Sequence, residues 1–144
     1  MSNRRVLLFQ QRNWALNIGH ELAKRLQAEG DTLAAFTFKA TTDRFVRTQR
    51  DVHYERIDFH DGFWNDPYII PGVAETSLET VCEGLQVPSI WPLANGERHF
   101  VRSYGDKYFY SFRQNRSDED LAAYVKACYL VFDRLLTEFK PDVI

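Results

Sequence analysis

Residues 5–38 read RVLLFQQRNWALNIGHELAKRLQAEGDTLAAFTF, and this stretch decides the fold class. Residues 6–9 and 33–38 are short apolar runs, each the length of one buried strand. Between them, apolar residues recur at helical spacing and Gly30 follows, where a left-handed residue usually ends a helix. The face of that helix is formed by Ile18, Leu22, Ala23 and Leu26. A strand, a helix and a strand at this spacing predict a parallel pair joined by a right-handed crossover.

The C-terminal end of the sequence predicts a long helix followed by another strand. Ser117 and Asp120 form a capping box, and apolar residues then follow 3–4 spacing as far as Phe139. Pro141 ends the helix, and residues 142–144 read as the start of a buried strand. Because the sequence stops within that strand, we expect residues 1–144 to be a single N-terminal domain of a longer, two-domain protein.

The middle of the sequence adds weaker elements. A short helix is predicted at residues 41–46, a third strand near a sheet edge at 52–57, and a helix at 74–84. Together the patterns predict an α/β, Rossmann-like fold with a mostly parallel sheet and helices on both faces.

Composition narrows the classes of function. The chain has 144 residues, 44% apolar and 26% charged, with a formal net charge of -2. This charge creates no field that attracts nucleic acid, so no nucleic-acid partner is predicted.

The two cysteines are predicted to be free thiols in a reducing, cytoplasmic compartment. No signal-peptide core or membrane-spanning run is present in the sequence, and peripheral contact with a membrane surface is left open.

The loop predicted at residues 10–17 follows the first strand, where open parallel sheets bind their ligands. Asn13 and Asn17 are candidates for substrate binding, with helix capping as the alternative role. His20, one turn into the helix, is a candidate catalytic residue that would face either the ligand cleft or solvent. Gly19 stands alone without a G-x-G-x-x-G pattern, so a dinucleotide site is not expected.

A second candidate site lies at residues 58–66, which combine a histidine with acidic and aromatic side chains. His60 would act as a general base and one of the three carboxylates of this segment would orient it. Asp61 would bind substrate, and Trp64 would stack on a sugar. The alternative is a surface loop that is anchored by its aromatic residues. No second histidine has metal-ligand spacing, so no metal site is predicted.

A third candidate is the polar turn at residues 95–99, where Arg98 would bind a phosphate or a carboxylate. The alternative is a hairpin-like turn with solvated charges. No Ser-His-Asp order, Cys-His pair or phosphate-binding loop appears, and no cofactor is predicted.

Two segments resemble bacterial glycosyltransferases of the GT-B fold. GHELAKRLQAEGDTL at residues 19–33 is similar to the "ELA-x-x-L-x-x-x-G" first helix of that family, and KPDVI at residues 140–144 resembles its "K/R-P-D-V-I" strand. The family's usual glycine pair after the first strand is replaced here by NWALN at residues 13–17.

The resemblance implies an acceptor-binding N-terminal domain, with a saccharide or a lipid-linked acceptor. A missing C-terminal domain would bind the nucleotide-sugar donor, so this part is not expected to be active alone. A role in bacterial surface polysaccharide biosynthesis is implied. Two alternatives stay open: a non-catalytic Rossmann-like or flavodoxin-like module that binds a ligand or a protein, and half of a nucleotide-sugar epimerase.

Overall fold

The computed structural model describes residues 3–62, 66–96 and 117–144. The chain divides into two compact units. The first comprises Met1–Asp61 and Leu135–Ile144, and the second comprises Gly62–Arg134.

The first unit is built on a parallel sheet. Strands β1 (Arg5–Phe9), β2 (Thr32–Thr37) and β3 (Tyr54–Phe59) pair in the order β1-β2-β3. On the other edge of β1, Val143 forms a parallel bridge with Val6, and the Leu7 N–H donates to the Val143 carbonyl at 2.9 Å. The predicted α/β, Rossmann-like class with a parallel sheet is confirmed.

One face of this sheet is covered by the helices that connect its strands. Helix α1 (Arg12–Trp14) continues through a π-helical turn (Ala15–Gly19) into helix α2 (His20–Ala28). Helix α3 (Ala40–Thr48) connects β2 to β3. The buried side chains between the sheet and these helices form an apolar cluster of Val6, Leu8, Ala23, Leu33 and Val52.

Helix α2 ends as the sequence predicts. Gly30 has φ +94°, and its N–H donates to the Gln27 carbonyl while the Asp31 N–H donates to the Leu26 carbonyl. These two bonds form a Schellman motif, which satisfies carbonyls that the end of the helix would otherwise leave unpaired.

The opposite face of the sheet meets the end of the long helix α6 (Asp118–Phe139). The Arg5 guanidinium lies 4.4 Å from the centre of the Phe139 ring, and its Nε donates to the Phe139 carbonyl at 2.6 Å. Arg56 in β3 forms an ion pair with Glu138. These contacts attach the last turn of α6 to the sheet.

The second unit contains a short 3₁₀ turn (Pro67–Ile69), helix α4 (Leu78–Leu85), helix α5 (Trp91–Gly96) and the greater part of α6. The capping box of α6 is present: the Ser117 Oγ accepts from the Asp120 N–H, and the Asp120 carboxylate accepts from the Ser117 N–H, both at 3.1 Å. The core of this unit contains Val81, Ile90, Ala94, Ala122 and Val125.

Three boundaries differ from the predictions. The loop predicted at residues 10–17 is wrong, because the helix already begins at Arg12. The predicted helix at residues 74–84 begins only at Leu78, after Ser77 accepts a hydrogen bond from the Thr80 N–H. The third strand is Tyr54–Phe59, two residues later than predicted, because its pairing with β2 continues to Phe59.

Candidate functional site at the carboxyl edge of the sheet

The strand order reverses at β1. From β1 the chain proceeds through β2 to β3 on one side, and it returns to the other side of β1 at Val143. In open parallel sheets a crevice for ligands opens at such a reversal, beyond the carboxyl ends of the strands. Functional side chains are therefore expected in the turn after β1 and in the residues after β3.

Two successive glutamines follow β1, and each has one buried side-chain atom without a partner. Gln10 is 1% exposed; its Nε2 donates to the Gly19 carbonyl at 3.3 Å and to the Tyr54 hydroxyl at 3.0 Å. Among the described residues, no group donates to the Gln10 Oε1 or accepts from the Gln11 Nε2. A buried polar atom without a hydrogen bond costs about 1–3 kcal/mol, so this turn retains one unused acceptor and one unused donor.

The π-helical turn brings Gly19 against Gln10 and Trp14. A Cβ atom at residue 19 would lie 2.3 Å from the Gln10 Oε1 and 2.5 Å from the Trp14 Cζ3. Only glycine fits this position, and π-helical turns are frequent at functional sites. The close contact of Gly19 with Gln10 has no signature in the sequence.

Asn13 and Asn17 both lie in the helical segment after β1, and both are exposed. The Asn17 Nδ2 donates to the Asn13 carbonyl at 3.1 Å. Neither asparagine provides a side-chain cap at the helix start, where Gln11 is the N-cap residue and makes no side-chain hydrogen bond. Both stand one or two turns from the carboxyl end of β1, and their binding role stays a prediction.

His60 directly follows β3, which pairs only with β2 among the described strands. Its N–H donates to the Thr37 carbonyl at 3.2 Å, which holds the backbone beside the end of β2. Its ring stacks on Phe36, with ring centres 5.5 Å apart and planes 25° apart. The structure therefore places His60 at the carboxyl edge of the sheet, on the face opposite α2.

A charged group lies next to His60 on the same face. Asp58 accepts from the Arg56 Nε and from the Arg56 Nη2, the latter at 3.1 Å, and its Oδ1 lies 3.9 Å from the His60 Nε2. Burial alone would raise the pKa of Asp58, but the attraction of His60 and Arg56 outweighs it and lowers the pKa to about 2. Asp58 is thus a carboxylate at neutral pH.

His20 lies elsewhere in the unit. It begins α2, eight residues after the helix starts, and its Nε2 lies 3.2 Å from the Asp51 Oδ2 in the turn before β3. Its ring makes an edge-on contact with Phe45 in α3, at 5.2 Å between ring centres. Because Asp51 precedes the amino end of β3, the structure does not bring His20 together with His60.

The remaining predicted site residues divide into two groups. Asp61 is partly buried after His60, and no hydrogen bond or ion pair of its carboxylate occurs among the described residues. Trp64 and Arg98 lie outside the described residues.

A pocket of about 490 Å³ lies in the first unit beside β1. Its walls are mainly apolar and include Val6, Leu8, Trp14, Leu22 and Val143, with none of the predicted site residues.

In the described part of the chain, no three histidine, cysteine or acidic side chains are grouped as metal ligands require. Within those same residues no helix has the length and apolar character needed to cross a membrane. Cys82 and Cys128 are not joined in a disulfide.

Comparison of the chain with protein-family models, curated proteins and solved structures finds no match.

Proposed function

We propose that the first unit is the acceptor-binding domain of a glycosyltransferase similar to the GT-B family. Its acceptor would lie at the carboxyl edge of the sheet, between the Gln10–Gln11 turn and His60. The nucleotide-sugar donor would be bound by a second domain, as the resemblance of residues 19–33 and 140–144 implies. The protein would act in the reducing cytoplasm, which fits two cysteines that form no disulfide.

The observation that carries this proposal is the pair of unused amide atoms after β1. The Gln10 Oε1 is a buried acceptor and the Gln11 Nε2 is a buried donor. A sugar hydroxyl both donates and accepts, so it matches an acceptor and a donor together, whereas a phosphate oxygen only accepts. A neutral saccharide therefore suits this turn better than an anionic group does.

The binding part of the proposal is tested by NMR on the isotopically labelled chain. Neutral mono- and oligosaccharides are titrated in, and the side-chain amide signals of Gln10 and Gln11 are followed. We expect these signals to shift, while those of Gln49 stay fixed, since its Nε2 already donates to the Val46 and Val52 carbonyls. Gln11→Leu should weaken the binding about tenfold, the effect of one lost hydrogen bond.

Two results would contradict this assignment. If nucleotides shift the Gln10 and Gln11 signals and saccharides do not, the unit is a nucleotide-binding module. If neither class of ligand shifts them, the turn is not a binding site.

The catalytic part is tested on the protein isolated from its native host. Release of nucleoside diphosphate from a nucleotide-sugar donor is measured for the wild type and for His60→Ala. A general base contributes about 100-fold or more to such a reaction, so we expect a loss of that size. An unchanged rate would remove His60 from the catalytic residues. His53→Ala is the matched control, because His53 is exposed and lies just before the amino end of β3.

A further inference from the structure

We infer that Asp58, and not Asp61, is the carboxylate that positions His60. This inference rests on the proposed function for the role of His60 as the base, but the contact between Asp58 and His60 can be tested without it. Asp58 would be a positioning residue that acts on the acceptor through the imidazole ring.

The geometry of β3 places the two side chains together. Side chains two residues apart on a strand lie on the same face, so Arg56 and Asp58 of β3 share one face. His60, directly after the strand, lies on that face too, because its ring stacks on Phe36. The Asp58 Oδ1 and the His60 Nε2 are 3.9 Å apart, which is an ion-pair distance. Asp61 is the next residue after His60 and falls outside this alternation.

Asp58 is itself held in place. Arg56 donates two parallel hydrogen bonds to it, the fork-to-carboxylate arrangement that fixes both side chains. Arg56 is in turn paired with Glu138 at the end of α6. The Asp58 side chain is only 16% exposed, so solvent does little to screen its charge from the ring.

Phe36 and Asp58 both contact the imidazole and help to orient it. Phe36 supports the plane of the ring by stacking, and Asp58 attracts its Nε2 edge. Group transfer to an acceptor hydroxyl would move the hydroxyl proton to His60 as the oxygen bonds to the sugar carbon. The nucleoside diphosphate would leave with the electron pair of its broken bond. The imidazolium formed in this way would lie beside the ionised Asp58, which stabilises it.

The test is a carbon-13 NMR titration of the Asp58 carboxyl carbon. The Asp58 carboxylate lies beside both the His60 ring and the Arg56 guanidinium, and both of these groups lower its pKa. At about 4 Å one unit charge is worth about 0.7 pH unit even in water, so His60→Gln should raise the pKa of Asp58 by at least that amount. His20→Gln is the control and should leave it unchanged.

An unchanged titration of Asp58 in His60→Gln would overturn the inference, because Asp58 would then serve Arg56 alone. If acid unfolds the chain before Asp58 titrates, the free energy of unfolding is measured between pH 4 and the onset of unfolding. Its dependence on pH should be shallower in His60→Gln than in the wild type, and equal dependence would also overturn the inference. Neither measurement involves a saccharide. A negative saccharide titration would therefore count against the proposed function alone, and an unchanged Asp58 titration would count against this inference alone.

Discussion

Replacing Gly19 with alanine tests whether the close packing after β1 holds this part of the fold together. The added Cβ would lie 2.3 Å from the Gln10 Oε1 and within 2.6 Å of two carbons of the Trp14 ring. Ordinary contacts begin beyond 3.4 Å. Both side chains would therefore have to move by about 1 Å, the difference between these contacts and an ordinary carbon contact.

The expected cost follows from what those two side chains do. Gln10 is not free to move, because its Nε2 donates to the Gly19 carbonyl and to the Tyr54 hydroxyl. Overpacking costs about 1–3 kcal/mol, and each weakened hydrogen bond adds about 1 kcal/mol. Alanine regains about 1 kcal/mol through its better helix propensity. With both hydrogen bonds weakened, we expect a net loss of about 2–4 kcal/mol in the free energy of unfolding.

Urea unfolding followed by circular dichroism measures this loss. Trp14→Ala provides the matched background, because it removes the ring that the new Cβ would strike. The cost of Gly19→Ala should be smaller in that background, and the coupling should exceed about 0.5 kcal/mol. A Gly19→Ala variant that is at least as stable as the wild type would refute the reasoning, since the helix-propensity gain would then match or exceed the cost of overpacking.

Two further predictions concern stability. Asp58 has a pKa of about 2 in the folded chain and an ordinary value of 3.8. It should therefore contribute about 2 kcal/mol above pH 4 that is lost as the pH falls toward 2. Asp58→Asn should remove this dependence from the unfolding free energy measured against pH, and an unaltered dependence would assign the effect to other carboxylates. Ser117→Ala removes the cap of α6 and should lower the unfolding free energy by about 1 kcal/mol in urea titrations. An unchanged midpoint would show that the capping box contributes nothing measurable.

Elements with a local signature were predicted well. Residues 6–9 and 33–38 are apolar runs that became β1 and β2, because a buried parallel strand requires nothing beyond such a run. Gly30 and the Ser117–Asp120 box ended and began helices as predicted, since both signals act within one turn of backbone.

The start of the first helical segment had no local signature. Gln11 is the N-cap residue of this segment, and its side chain makes no cap hydrogen bond. Arg12, the first helical residue, has a φ of +45°. A cap residue such as serine or aspartate is the sequence signal for a helix start, and neither stands here. The polar residues 10–13 therefore indicate a loop, although Arg12 and Asn13 are helical.

The sequence by itself determined the class of fold, because the periods of its apolar residues specify which segments are strands and which are helices. It also singled out His60, as a histidine that follows a predicted strand. Only the tertiary structure decided which groups meet. Parallel pairing of β2 with β3 placed Phe36 beneath the His60 ring, and the alternation of β3 selected Asp58 over Asp61 as its neighbour. The packing of α2 against α3 placed His20 beside Phe45 and Asp51. Such pairs join residues through strand register and helix packing, which depend on the whole sheet and not on any single segment of sequence.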